Sequence, residues 1–177
     1  MLDPSTTLLV IIDAQERLMP AVLDSERVIH NLQIMIRGAQ LFNVPILALE
    51  QVNLGPIVAP LAELLGDTRP IGKKSFSGCG ERTFVEALES AGRRRILVGG
   101  AETHICVHQT ALGLLERGYE TLVLEDCVSS RTAANRETGL RRMNAEGVKS
   151  TSAEMALYEL LRVAEGDGIR ALTRLVK

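Results

Sequence analysis

The stretch "RRRILVGGAETHICVHQTALGLLERGYETLVLED" (93–126) decides the fold. A short β-branched apolar run ends in a glycine pair, residues 105–117 follow with helical spacing, and a second apolar run covers 119–126. Gly118 closes the helical part, as a residue suited to the left-handed position after a helix. Continuous apolar runs joined by a helix read as strands covered on both faces, which is the pattern of a parallel sheet.

The same order recurs on both sides. Upstream, "TTLLVIID" (6–13) reads as a buried strand. Residues 26–42 then place Val28, Ile29, Leu32, Met35, Ile36, Ala39 and Phe42 at helical spacing, and "VPILALE" (44–50) follows as the next strand. "ESAG" (89–92) and "NAEG" (144–147) close two further helical stretches with glycine, and "VKSTS" (148–152) reads as a last strand. "TSAE" (151–154) has the form of a capping box, with Thr151 as N-cap and Glu154 reaching back. Residues 51–80 collect prolines and glycines and read as loops packed over one end of the sheet. The fold class is therefore α/β: a three-layer, Rossmann-like parallel sheet with helices on both faces, formed by one domain over 1–177.

Composition narrows the function. With 177 residues, 46% hydrophobic, 24% charged and 3% aromatic, the chain is globular, and Leu, Val, Ile and Ala fill its core. A formal net charge of −2 and a pI near 6.0 exclude the electrostatic footprint of a nucleic-acid binder and favour a small neutral or anionic ligand. No apolar run reaches the roughly 18 residues of a membrane span and the N-terminus lacks a basic leader, so the expected location is cytoplasmic. Three cysteines, Cys79, Cys106 and Cys127, fit neither a disulfide framework nor a zinc pattern.

In open parallel sheets ligands sit beyond the carboxyl ends of the strands. That rule selects Asp13, Glu50, Gln51, the 99–104 turn and Asp126, with Lys73 and Lys74 in the irregular segment able to fold over the same end. Cys106, in the first turn of helix 105–117, has two readings. It is a packing thiol, or a thiol whose pKa the helix N-terminus lowers from ~8.5 to roughly 3.5–7.5. "GGAETH" is not GxGxxG, so a dinucleotide site is weakly supported; a turn that offers main-chain N–H groups to an oxyanion fits better. Asp13 reads as a turn cap or a general base, and either lysine as a surface charge or as the partner of a carboxylate and a thiolate. His104 and His108, four apart, lack a third ligand at a convincing spacing, and capping or surface roles suit them better than a metal pair. Cys79 and Cys127 read as packing or loop residues, with Cys79 close enough to line a pocket.

Taken together, "LLVIIDAQERL" (8–18), "KKSFSGCGERTFVEAL" (73–88), "ILVGGAETHICVHQTALGLLERGY" (96–119) and "LEDCVSSRTAANRETGLRRM" (124–143) resemble the isochorismatase-like cysteine hydrolase superfamily, which includes the nicotinamidases. The most specific part is G-x-x-T-x-x-C-V, met by Gly100, Thr103, Cys106 and Val107. The resemblance implies an Asp–Lys–Cys triad of Asp13, a lysine of the 73/74 pair and Cys106, and the K-x-x-F-S spacing favours Lys73. It also implies an oxyanion hole of main-chain amides at Glu102 and Cys106, around a cis peptide at Ala101–Glu102. Zinc-dependent nicotinamidases carry Asp-x-His after the second strand, whereas this chain reads Glu50-Gln51-Val52-Asn53. No metal and no cofactor are expected.

The expected activity is that of a metal-independent hydrolase acting on non-peptide C–N bonds of a small amide or related acyl compound, with Gln15, Gln51 and Asn53 as polar ligand contacts or turn caps. The alternatives are an isochorismatase-type vinyl ether hydrolase, a non-catalytic oligomeric binding protein with the same fold, and a redox sensor that forms a Cys79–Cys106 disulfide. A homo-oligomer is expected on family grounds, with "GPIVAPLAELL" (55–65) as either subunit contact or core.

Overall fold

A computed structural model describes residues 1–177. Its frame begins with β1 (Thr7–Ile12), whose six residues are all buried. Alternate side chains of a strand point to opposite faces, and β1 serves both sides. Leu9 and Ile11 join an apolar cluster with α1 (Ser25–Leu41), while Leu8, Val10 and Ile12 join the cluster on the other face. A strand buried in this way cannot show polar alternation, which is why its sequence reads as a continuous apolar run.

The remaining elements are β2 (Ile46–Gln51), α2 (Ala59–Leu65), β3 (Ile71–Lys73), α3 (Arg82–Ala91), β4 (Arg95–Ala101), α4 (His108–Glu116), β5 (Glu120–Ser129), α5 (Ala133–Ala145), β6 (Lys149–Thr151), α6 (Ala153–Leu161) and α7 (Gly166–Leu175). The six strands form one parallel sheet in the order β3-β2-β1-β4-β5-β6. Helices α1, α2, α6 and α7 cover one face; α3, α4 and α5 cover the other. This is the three-layer α/β fold that the alternation of elements predicts. No helix is long and apolar enough to cross a membrane.

Three local expectations are corrected. Residues 51–80 are not all loop, because they hold α2 and the edge strand β3. Ile57, Leu61 and Leu65 of "GPIVAPLAELL" lie in the core, and Pro60 occupies the first turn of α2, where its missing N–H costs nothing. Three residues of β3 are too few to show a period. The cap of α6 is Ser152, whose Oγ accepts from the Met155 N–H at 3.2 Å, whereas Thr151 ends β6 as a buried strand residue. The helix expected over 105–117 starts as a π-type turn, Thr103–Val107, and becomes α-helical only at His108.

All strands being parallel, every carboxyl end lies along one edge of the sheet. The order reverses between β1 and β4, the switch point where open α/β sheets hold ligands.

Candidate active site

Three strand ends and one turn deliver the polar side chains to that edge. Asp13 follows β1 directly, with a φ of 50°, in the left-handed region that Asp tolerates better than most residues. Lys73 ends β3, and its Cα is register partner to Gln51 at the end of β2. Cys106 sits in the π-type turn after β4.

That turn is drawn against β1 by Gly100. Gly100 pairs with Ile12 and has a φ of 127°, and a Cβ built there would lie 1.9 Å from the Ile12 carbonyl oxygen. Only glycine lets the two backbones approach so closely. Beyond it, the Ala101–Glu102 peptide is cis, and the Glu102 carbonyl accepts from the N–H groups of Ile105 and Val107. The Glu102 carboxylate accepts from the Arg131 N–H at 2.9 Å and from Arg131 Nε at 3.1 Å, tying the turn to the loop after β5.

The three residues are buried. Asp13 is 0% exposed, Lys73 1% and Cys106 7%. The Lys73 Nζ lies 2.8 Å from Asp13 Oδ2. The contact is an ion pair, and the Cys106 thiol is the other group that bears on the carboxylate. Burial raises the Asp13 carboxyl above the usual carboxylate range, and the Lys73 charge opposes it. Lys74, one residue on, is exposed and donates its main-chain N–H to Glu81, so the structure brings Lys73 and not Lys74 to Asp13.

The Cys106 thiol is pushed up to about 12, first by burial and then by the Asp13 charge and hydrogen bond, with Lys73 opposing. The direction is opposite to the lowering that a helix N-terminus would give. Two physical reasons apply: Cys106 sits in a π-type turn before the regular helix, and a buried carboxylate beside a thiol disfavours a second negative charge. A thiol raised in this way keeps its proton beside the Asp13 carboxylate. Such an arrangement can pass the thiol proton to Asp13 as the sulfur attacks an electrophile.

The three residues expected to contact a ligand divide. Gln15 is 0% exposed: its Nε2 donates to the carbonyls of Gln51 and Gly55, and its Oε1 accepts from the Gln51 N–H at 2.8 Å. Both of its amide protons are used, so Gln15 is a clamp on β2. Gln51 turns its amide to Lys73. Asn53 is exposed, has a φ of 69°, and serves the turn after β2, its carbonyl accepting from Arg17. The histidines diverge as well. His104 Nδ1 meets Ser130 Oγ at 3.0 Å, whereas burial and the nearby Arg142 lower the pKa of His108. Cys79 packs against Gly113 at the rim of a hollow of about 340 Å³ that none of the triad residues lines, and burial raises its thiol. Cys127 is buried on the other face of the sheet, in the cluster with α1.

Sequence reasoning missed Arg131 and Glu81. Glu81 Oε1 accepts from the N–H groups of Lys74 and Ser75 and from Ser75 Oγ, folding the segment after β3 back on itself. No local signal marks either residue, since both act across a loop.

A family model described as the isochorismatase domain matches residues 7–155. The chain is 32% identical to the secreted isochorismatase effector Isc1 of Phytophthora sojae (strain P6497), over 99% of this chain and 87% of that one. It is also 32% identical to isochorismatase domain-containing protein 2A of Mus musculus, over 98% and 84%. Among solved structures it is similar to the MAR1 ribonuclease of Caenorhabditis elegans, with a TM-score of 0.93, 27% identity, and 99% and 91% of the two chains covered. The YcaC gene product of Escherichia coli, described as an octameric hydrolase of unknown specificity, superposes with a TM-score of 0.92 at 22% identity, over 98% and 89%.

Proposed function

The chain belongs to the isochorismatase family, and from that premise we propose that it is a metal-independent cysteine hydrolase of a small amide or related acyl substrate. The observation that carries this reading is a buried carboxylate ion-paired to Lys73 at 2.8 Å and acting on the Cys106 thiol. The Cys106 proton moves to Asp13 as Sγ bonds to the substrate carbonyl carbon. Main-chain N–H groups of Glu102 and Cys106 receive the oxyanion. The C–N bond breaks as Asp13 returns the proton to the leaving nitrogen, giving a thioester and a free amine. Water then gives a proton to Asp13 and attacks the thioester, and the C–S bond breaks to release the acid and restore the thiol. Lys73 balances the negative charge throughout.

Independence from metal is supported by the donor set: where Asp-x-His would stand, the chain has Gln51, whose amide is spent on Lys73, and the exposed Asn53. Three free, buried thiols suit a reducing compartment, and we place the enzyme in the cytoplasm as a homo-oligomer, as the octamer described for the E. coli protein suggests. With a net charge of −2, RNA cleavage is not extended to this chain from the nematode protein.

The test is Cys106→Ala on a panel of small amides and esters: kcat/KM falls by about a thousandfold or more. The family name favours a second reading, vinyl ether hydrolysis of isochorismate. Full activity of Cys106→Ala on isochorismate, with none of either protein on amides, would replace the first reading by the second.

A further inference from the structure

Lys73 reaches Asp13 from two strands away. In the order β3-β2-β1 its side chain must cross the carboxyl end of β2, and the residue at that end, in register with Lys73, is Gln51. The Gln51 Oε1 accepts from Lys73 Nζ at 2.5 Å, and its Nε2 donates to the carbonyls of Lys73 at 3.3 Å and Lys74 at 3.1 Å. One amide therefore holds both the ammonium and the main chain that carries it. Gln51 is itself fixed, since the Gln15 side chain accepts from its N–H and donates to its carbonyl.

The ammonium has three N–H donors. Four acceptors surround it: Asp13 Oδ2 at 2.8 Å, Gln51 Oε1 at 2.5 Å, and the carbonyls of Phe76 at 3.2 Å and Ser75 at 3.3 Å. No donor is left over for a substrate. Asp13 is the only charged member of the set, so the neutral amide at position 51 leaves the lysine charge directed at a single carboxylate. A hydrogen bond to an ionised group is among the stronger ones, and this one is buried.

We propose that Gln51 is a positioning residue that holds the Lys73 ammonium on the Asp13–Cys106 pair, an inference that rests on the triad reading above. In this role Gln51 acts on the chemistry only through the lysine that its side chain holds.

The experiment is a double-mutant cycle on the folded protein, read as the rate of iodoacetamide alkylation of Cys106 at fixed pH by peptide mass spectrometry. Gln51→Met, of similar volume but without the acceptor, changes that rate several-fold, in the same direction as Lys73→Met and by no more. In the Lys73→Met background Gln51→Met changes nothing, because the group it acts through is gone. Equal effects of Gln51→Met in both backgrounds, or no effect while Lys73→Met and Asp13→Asn each alter the rate, overturn the role of Gln51 alone. Wild-type rates in both Lys73→Met and Asp13→Asn overturn the triad reading and this inference with it. Leaving Asp13 buried and unpaired can prevent Lys73→Met from folding, so a second measurement dispenses with that variant. In ¹⁵N spectra the Lys73 ammonium protons exchange with water roughly tenfold faster in Gln51→Met than in wild type, the factor expected on loss of a hydrogen bond to a charged group. Unchanged exchange overturns the proposal.

Discussion

Replacing Asp13 by Asn separates the acidity of Cys106 from its catalytic competence. The thiol moves from an ordinary 9.0 to about 12, a rise of three decades in proton affinity. At about pH 7.5 the thiolate fraction is then ~3 × 10⁻⁵, against ~3 × 10⁻² for an unshifted thiol. A more basic thiolate is also the better nucleophile, and a Brønsted slope of about 0.4 to 0.5 returns a factor of ~20 of that loss. Wild-type Cys106 should thus react with iodoacetamide roughly 50-fold more slowly than an unshifted thiol at neutral pH, and the rate should climb about tenfold per pH unit up to pH 10 without a plateau. Asp13→Asn removes the carboxylate charge and hydrogen bond that rank next after burial among the causes of the rise. Its Cys106 should alkylate faster than wild type at neutral pH, while hydrolysis slows by about 100-fold or more because an amide cannot take the proton. Peptide mass spectrometry against pH reads all three cysteines, with Cys127 as the internal control, since burial also pushes its thiol up. A wild-type plateau reached below about pH 8 would refute the reasoning, because the proton would then rest on Asp13 and a thiolate would face Lys73. Slower alkylation of Asp13→Asn would refute it equally.

Two further outcomes probe the supports of the site. Gly100→Ala drives a Cβ to 1.9 Å from the Ile12 carbonyl at a φ of 127°; the backbone clash and the left-handed conformation together cost about 3–5 kcal/mol. In urea titration the midpoint falls with little change in slope, and a loss below about 1 kcal/mol would show that β1 and β4 do not approach so closely. Glu81→Gln reports on the fold after β3. Hydrogen bonds from the Ser75 main chain and side chain, then the Lys74 main chain, lower the Glu81 pKa below its ordinary 4.5. A lowered folded pKa stabilises the protein fully above the ordinary value, and that stability is lost as pH falls through the lowered one. The drop in melting temperature of wild type below about pH 4.5 should therefore be shallower in Glu81→Gln, and identical acid limbs would show that the Glu81 bonds do not form.

Much of this was legible because buried parallel strands and helix-closing glycines are local signals. The apolar runs of β1, β4 and β5 and the helices between them follow from periodicity and from Gly92, Gly118 and Gly147, all of which take positive φ. The shortest elements escaped: β3 has three residues, and the seven of α2 begin among prolines that read as loop. The Thr151 cap was misplaced by one residue because Thr and Ser stand side by side, and only the end of β6 decides between them.

The same division runs through the site. Asp13 is visible as a strand-end residue, Cys106 as a residue of the turn that follows a strand, and the lysine pair as part of a segment able to fold over the same edge. The K-x-x-F-S spacing favours Lys73 over Lys74, and the register of β3 against β2 shows how Lys73 reaches the edge. The state of Cys106 depends on burial and on a carboxylate 93 residues earlier in the chain, and a pKa is set by the three-dimensional field and not by sequence neighbours. Gln51, read from the sequence as a ligand contact or a turn cap, turns its amide to Lys73. The sequence by itself determined the sheet, its two helical layers and the residue types at its edge, all through local periodicity. Which of those residues meet, which are spent on the backbone, and which proton the thiol keeps were decided only by tertiary structure, because those depend on strand order, burial and the fixed directions of hydrogen bonds.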